Sequence, residues 1–362
     1  MNRRIFLQSL AAVAATGLAL AGSAGAEQQK LKIGFVYVSP VGDAGWTFRH
    51  DVARKALEKA YGDKIQTSFV ESVPEGADAE RIIRQFATTG HQLIFTTSFG
   101  YMNPTIKVAT QFPNVTFEHA TGYKQAKNVG TYSARFYEGR YLAGVVAGKM
   151  TKSNKIGYVA AFPIPEVVQG INAFTVGLRS VNPKAEVRVI WVNSWYDPGK
   201  EREAAETLIG QGADVVTQHT DSTAPVQAAE AKGVYAIGYH SDMSKYGPKA
   251  HLTASYHDWD AYYVNTVKAV MDKKWKSGDV WGGIKDGMVK LSPFNAAVPK
   301  DVVDLVKQRE ADIAAGKLHP FQGPLKDQAG AIKVAAGKTM PDKDILGMNF
   351  YVEGVVGQLP KQ

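Results

Sequence analysis

None of the 362 residues is cysteine. That excludes disulfides, thiol nucleophiles and thiolate metal sites, and it excludes a lipid-modified cysteine at a leader's cleavage point. Long apolar runs are also missing. Beyond the N-terminal segment nothing approaches the ~20 residues that a bilayer span needs. Signatures of catalysis are absent too: there is no H-E-x-x-H, no G-x-S-x-G, no G-x-x-x-x-G-K-[ST], and no G-x-G-x-x-G after the first strand-like run. The eight histidines (50, 91, 119, 219, 240, 251, 257 and 319) contain no i, i+4 pair of the kind that binds zinc. Together these absences move the weight from catalysis toward binding.

The opening residues read as an export leader. Met1-Asn-Arg-Arg-Ile-Phe-Leu-Gln8 is a short basic start, residues 9–22 are small and apolar, and Ala24-Gly25-Ala26 has the form of a cleavage site. Arg3-Arg4 before Ile-Phe-Leu resembles a twin-arginine signal, which carries a protein across already folded; an ordinary Sec signal is the alternative. Cleavage after residue 26 leaves a chain free in the periplasm, without a lipid anchor. It removes Arg3 and Arg4 and no acidic residue, which takes the formal charge from +8 to +6. The remaining surplus is scattered among acidic residues, so it reads as surface potential and not as a nucleic-acid footprint.

What the chain does have is alternation. The run 31–38 is β-branched and apolar, as a buried strand requires. Further strand-like runs lie at 65–71, 92–97, 115–118, 128–133, 155–159, 186–192, 214–217, 234–238 and 251–255. Helix-like runs separate them at 75–89, 104–111, 138–151, 165–180, 198–211, 224–232 and 258–274. Strand and helix alternating at this spacing predict βαβ units with parallel sheets. A mature chain of about 336 residues is long for a single core, so two lobes are expected. The stretch from Gly282 is less regular, and from about Gly316 no elements are assigned.

In such folds ligands bind beyond the carboxyl ends of the strands. Aromatic and polar clusters sit at those places here: Asp43-Ala-Gly-Trp46, Ser98-Phe99-Gly-Tyr-Met-Asn103, Asn193-Ser-Trp195-Tyr-Asp197, Thr220-Asp221-Ser222 and Gly238-Tyr-His240-Ser-Asp242. An indole there offers a flat apolar face, and two such faces can sandwich a ring at ~1–3 kcal/mol for each stacked base. Asp43 reads equally as a ligand group or a helix N-cap, whereas Asp197 before Pro198 reads as an N-cap. Trp191 lies within a strand and reads as core.

These residues resemble the basic membrane protein (BMP) family of ABC-transporter substrate-binding proteins, the group that contains bacterial purine-nucleoside receptors. The anchors are Asp43-Ala-Gly-Trp46, Asn193-Ser-Trp-Tyr-Asp-Pro198, Ile237-Gly-Tyr-His-Ser-Asp242 and Gly139-Arg-Tyr-Leu-Ala-Gly144. The resemblance implies an α/β, type I periplasmic-binding-protein fold: two Rossmann-like lobes, 30–135 with 256–279 and 136–255 with 280–362, joined by three crossovers around a ligand cleft. It puts an aromatic sandwich at Trp46 and Trp195, where nucleoside receptors usually carry phenylalanine, and a polar contact near Asn103. Those receptors usually read Gly-Val-Asp-Ser-Asp where this chain has Gly238-Tyr-His240-Ser-Asp242, and they tend to carry lysine where it has His257. In them the Asp and Lys help grip ribose hydroxyls. A neutral imidazole has one acceptor nitrogen, so two histidines put that grip in doubt.

The expected ligand is therefore a free purine base, adenine foremost, oriented by Asp221 through charge-assisted hydrogen bonding. Phe99, Asp43, Asp242 and His257 complete the expected ligand set; no cofactor or metal is expected. The expected partners are that ligand and an inner-membrane ABC permease, with the receptor a monomer. A nucleoside ligand is the near alternative. A periplasmic purine-processing enzyme and a chemoreceptor-coupled sensor are more distant ones. The leader and the lack of a helix-turn-helix before the first strand exclude a cytoplasmic repressor.

Overall fold

A computed structural model describes residues 30–360; the expected leader at 1–26 lies outside them. The first stretch alternates β1 (Leu31–Val36), α1 (Trp46–Tyr61), β2 (Ile65–Val70), α2 (Ala77–Thr88), β3 (Leu93–Thr96), α3 (Met102–Ala109), β4 (Thr116–Ala120) and β5 (Val129–Ala134). The second runs α4 (Phe136–Met150), β6 (Lys155–Ala160), α5 (Pro165–Arg179), β7 (Glu186–Trp191), α6 (Pro198–Gly210), β8 (Val215–His219), α7 (Ala224–Lys232), β9 (Tyr235–His240) and β10 (His251–His257). After them come α8 (Asp260–Met271), β11 (Asp279–Gly282), β12 (Val289–Leu291) and α9 (Lys300–Ala314).

Two sheets result. The first has the order β11-β5-β4-β3-β1-β2 and is parallel throughout. The second, β12-β10-β9-β8-β6-β7 with a seventh strand from the tail, is parallel except for β12 at its edge. Helices cover both faces, so the central strands are buried along their length: all four residues of β3 and all five of β8. The matching helices turn one apolar stripe inward, as α2 does with Ala79, Ile82, Ile83, Phe86 and Ala87.

Both sheets repeat one winding. In each, the first strand lies between its second and third, β1 between β2 and β3, and β6 between β7 and β8. That arrangement makes a topological switch point at the carboxyl ends of β1/β3 and of β6/β8. The chain passes between the sheets three times: after β5, between β10 and β11, and between β11 and β12. The first passage is seated by α4, which packs unusually close to α5. A Cβ on Gly144 would lie 2.0 Å from the Phe174 carbonyl oxygen, and one on Gly177 would lie 2.0 Å from that of Tyr141. Only glycine permits that approach.

The tail that the sequence left unassigned is ordered around the second sheet. It forms β13 (Leu325–Lys326), β14 (Ile332–Val334), α10 (Asp342–Leu346) and β15 (Val355–Val356), which pairs with β7. Asn172 of α5 donates to the Phe350 carbonyl (2.7 Å) and accepts from the Val352 amide (3.0 Å), and Gln169 donates to the Ile345 carbonyl (2.7 Å). Contacts of this kind leave no periodic trace in sequence. Trp191, expected in the core, is half-buried and donates to the hydroxyl of Tyr351, also from the tail (3.2 Å).

Candidate functional site

The loops at the two switch points meet around a narrow cavity lined by Val38, Trp46, Ser98, Phe99, Thr121, Glu166, Trp195, His219, Asp221 and His240. Each of these residues lies at or just beyond the carboxyl end of a strand. The first five come from the β1, β3 and β4 ends of one sheet, and the last five from the β6, β7, β8 and β9 ends of the other.

Trp46 opens α1 and is held rigidly. Its indole N–H donates to the Thr97 carbonyl (2.6 Å), and its ring meets His50, His240, Phe136 and Trp259 edge-on. Trp195 follows β7. Its indole N–H reaches across to Glu75 (3.0 Å), whose same oxygen accepts from the Ser98 hydroxyl (2.6 Å) and the Gly100 amide (3.0 Å), while its ring rests edge-on against Phe162. One indole is thus supplied by each sheet.

Asp221 is buried beside the cavity and accepts from the Ser39 hydroxyl across the lobes (2.9 Å). Its other oxygen lies 3.7 Å from His240 Nε2, and His240 Nδ1 meets His257 Nε2 at 3.1 Å. A second carboxyl–imidazole pair stands beside the first: Glu166 Oε1 is 3.6 Å from His219 Nε2. Burial pushes Asp221 well above the usual carboxyl range, against the Ser39 hydroxyl that pulls it down, and pushes Glu166 up to about 8. Burial likewise drives His219, His240 and His257 well below the usual imidazole range, aided by the neighbouring imidazoles and the Arg140 guanidinium. Each of these shifts favours the uncharged form of its group. The nearby fixed cation, Arg140, is fully buried between the rings of Tyr158 (4.7 Å) and Tyr239 (4.3 Å).

Two lining residues have strained backbone. Thr121 (φ 64°) and His240 (φ 65°) occupy the left-handed region, which costs a β-branched or bulky side chain energy. Gly45 (φ 96°) lies so near the Asp221 carbonyl that a Cβ there would approach its oxygen to 2.2 Å, and its amide donates to Ser241 Oγ at 2.8 Å. These contacts carry the two lobes against each other at the cavity's edge.

The expected site residues divide. Trp46, Phe99, Trp195, Asp221 and His240 come together around the cavity. His257 stands one layer behind, fully buried against His240. Three lie elsewhere. Asn103 is exposed and accepts from Lys124 (2.8 Å), because a short 3₁₀ turn at Phe99–Tyr101 carries it away into α3. Asp43 neither lines the cavity nor caps α1, whose N-cap is Gly45; it is exposed and pairs with Lys245 and Tyr246 of the facing lobe. Asp242 is exposed and accepts from the Ser244 amide (2.9 Å), closing a local turn. Asp197 does cap α6, accepting from the Lys200 amide (3.1 Å). Glu166 and His219 are lining residues that strand-end reasoning passed over. The signal for Glu166 was present: Pro165-Glu166 follows β6 as Asp43–Trp46 follows β1.

With this geometry in view, residues 30–319 match the family described as ABC transporter substrate-binding protein PnrA-like, Bmp. The chain belongs to that family. It is an ABC-transporter substrate-binding protein, the class that delivers a captured ligand to a membrane permease. It is 55% identical over 345 residues to a purine-binding protein of Brucella abortus, covering 95% of this chain and 98% of that one. It is 40% identical over 340 residues to a putative ABC transporter glucose-binding protein of Haloferax volcanii, covering 94% and 84%. Among solved structures, a solute-binding protein of an ABC transporter from Aeropyrum pernix superposes with a TM-score of 0.70 at 18% identity, covering 88% of this chain and 98% of that one. Identity that low speaks to the fold alone, and the fold is the one described above.

Proposed function

We propose that this protein is the periplasmic receptor of an ABC importer for a free purine base, adenine foremost, gripped between the indoles of Trp46 and Trp195. The observation that carries this reading is an indole from each lobe on one narrow cavity, beside titratable groups whose burial favours their neutral forms. A neutral lining suits an uncharged aromatic ring. The extensive identity with a purine-binding protein supports the same ligand class. On this reading lobe one carries the first sheet and lobe two the second, with the expected boundaries at 256 and 279 moved by two or three residues because β10 runs to His257 in the second sheet and β11 to Gly282 in the first, and Asp221 orients the ring. The receptor is an unlipidated monomer delivered by the leader at 1–26.

A nucleoside is the second reading, favoured by one observation. The cavity adjoins a wider hollow that shares Phe99, Thr121 and Glu166 with it and has room for a sugar. A sugar alone fits less well, since hexose hydroxyls call for hydrogen-bond partners all round and much of this lining is aromatic. Calorimetry with adenine, adenosine and glucose, together with mass spectrometry of co-purified ligand, separates the readings. Tight binding of adenine with much weaker adenosine is the expected result. Recovery of a ribosylated purine moves the assignment to nucleosides, and binding of glucose alone overturns both.

A further inference from the structure

Glu166 stands where the small cavity meets the wider hollow and lines both. Its side chain is only 18% exposed, yet its carboxyl receives no hydrogen bond from any described residue. Among the described residues, three more deeply buried carboxyls are provided for, although Asp260 Oδ1 at the start of α8 also lacks a partner. Glu118 accepts from Tyr262 (2.7 Å) and Trp275 (2.6 Å), Glu138 from the Ile284 amide (2.7 Å), and Glu201 from the hydroxyl (2.6 Å) and amide (3.2 Å) of Ser222. A buried carboxyl without a partner is costly unless something else completes it. At Glu166 the open direction is the cavity. Its ion-pair partner is His219 at 3.6 Å, with the Arg140 cation beyond; from the other lobe Phe99 and Thr121 face it in the cavity, and Asp279 shares the wider hollow with it.

The protonation state decides what such a group can read. Burial raises Glu166 to about 8 and drives His219 well down, so the pair is a carboxylic acid beside a neutral imidazole near pH 7. A carboxylic acid sets one donor and one acceptor side by side. An aminopurine edge presents a ring-nitrogen acceptor beside an amino donor. An oxopurine edge presents a ring N–H donor beside a carbonyl acceptor. The acid complements both, because either of its oxygens can carry the proton. A carboxylate, which only accepts, would repel the oxo edge.

We propose that Glu166, steadied by His219, is a specificity-determining residue that reads the substituent edge of the bound ring and makes the site accept 6-amino- and 6-oxopurines alike. This rests on the purine reading above and goes beyond it, since that reading needs only a stacked ring oriented by Asp221.

The test is calorimetry at pH 7 with adenine and hypoxanthine on the full mature chain, comparing wild type, Glu166→Gln, Glu166→Leu and Trp195→Ala. The wild type should bind both bases within roughly ten-fold of each other. Glu166→Gln keeps a donor beside an acceptor and should hold both within a few-fold, while Glu166→Leu should weaken both by roughly ten-fold or more. Glu166→Gln is nearly isosteric, so loss of both bases in a folded Gln variant would overturn the proposal even if the Leu variant failed to fold. So would a wild type that prefers one base by more than about a hundred-fold, or a Leu variant as tight as wild type. If Trp195→Ala weakens binding by about ten-fold while Glu166→Leu is unchanged, the role of Glu166 alone fails. If the wild type binds neither base, the purine reading fails with it.

Discussion

The two walls of the cavity are built differently. Lobe one contributes Val38, Trp46, Ser98, Phe99 and Thr121, none of which titrates. Lobe two contributes Trp195 and all four titratable lining groups, Glu166, His219, Asp221 and His240. The first wall therefore offers a fixed, largely apolar face, and the titratable groups all stand on the second. The two indoles differ in the same sense. Trp46 is buried in an aromatic core with His50, Phe136 and Trp259, whereas Trp195 is half-buried on a loop and is steadied across the cleft by Glu75. One wall is part of a lobe's core, and the other closes onto it.

The largest expected effect is at the rigid wall. Trp46→Ala removes a stacking face worth ~1–3 kcal/mol and a core side chain as well. Adenine affinity should fall by up to about a hundred-fold in calorimetry, and the melting temperature should drop clearly. Trp195→Ala should cost affinity by about ten-fold while leaving the melting temperature nearly unchanged. Equal stability losses in the two variants would break the contrast between the walls.

The next prediction concerns pH and belongs to lobe two. Glu166 titrates near 4.5 in an unfolded chain and at about 8 in the folded protein. Between these values the folded state keeps a proton that the unfolded state has released, so this group's contribution makes stability fall as pH rises, levelling off above about 8. Glu166→Gln removes that slope. The variant should melt a few degrees above wild type at about pH 8 and close to it at about pH 4, read by differential scanning fluorimetry. No lining group of lobe one should give such a slope.

The smallest effect lies outside both walls. Asp43→Ala breaks the exposed pairing with Lys245 and Tyr246 at the lip of the cleft. Exposed pairs are worth ~0–1 kcal/mol, so adenine affinity should fall by less than about five-fold, and that difference should shrink further at high salt.

The sequence by itself determined the strand-and-helix alternation, because parallel strands buried on both faces must be continuous apolar runs and their covering helices must carry a single stripe. It also put the candidate site in the strand-end loops, and both indoles, Phe99, Asp221 and His240, named there, line the cavity. Only the tertiary structure decided which loop residues face inward. Asp43, Asn103 and Asp242 had the right chemistry in the right loops, but a left-handed glycine, a 3₁₀ turn and a local turn aim them outward. Glu166, whose strand-end position was legible, and His219 were brought together by the pairing of β6 with β8. The tail behaved likewise, held by side chains of α5 that bond to its backbone. Periodicity records which face of an element is apolar. It does not record where a turn points a side chain, nor which distant backbone a polar group will satisfy, and those two things built this site.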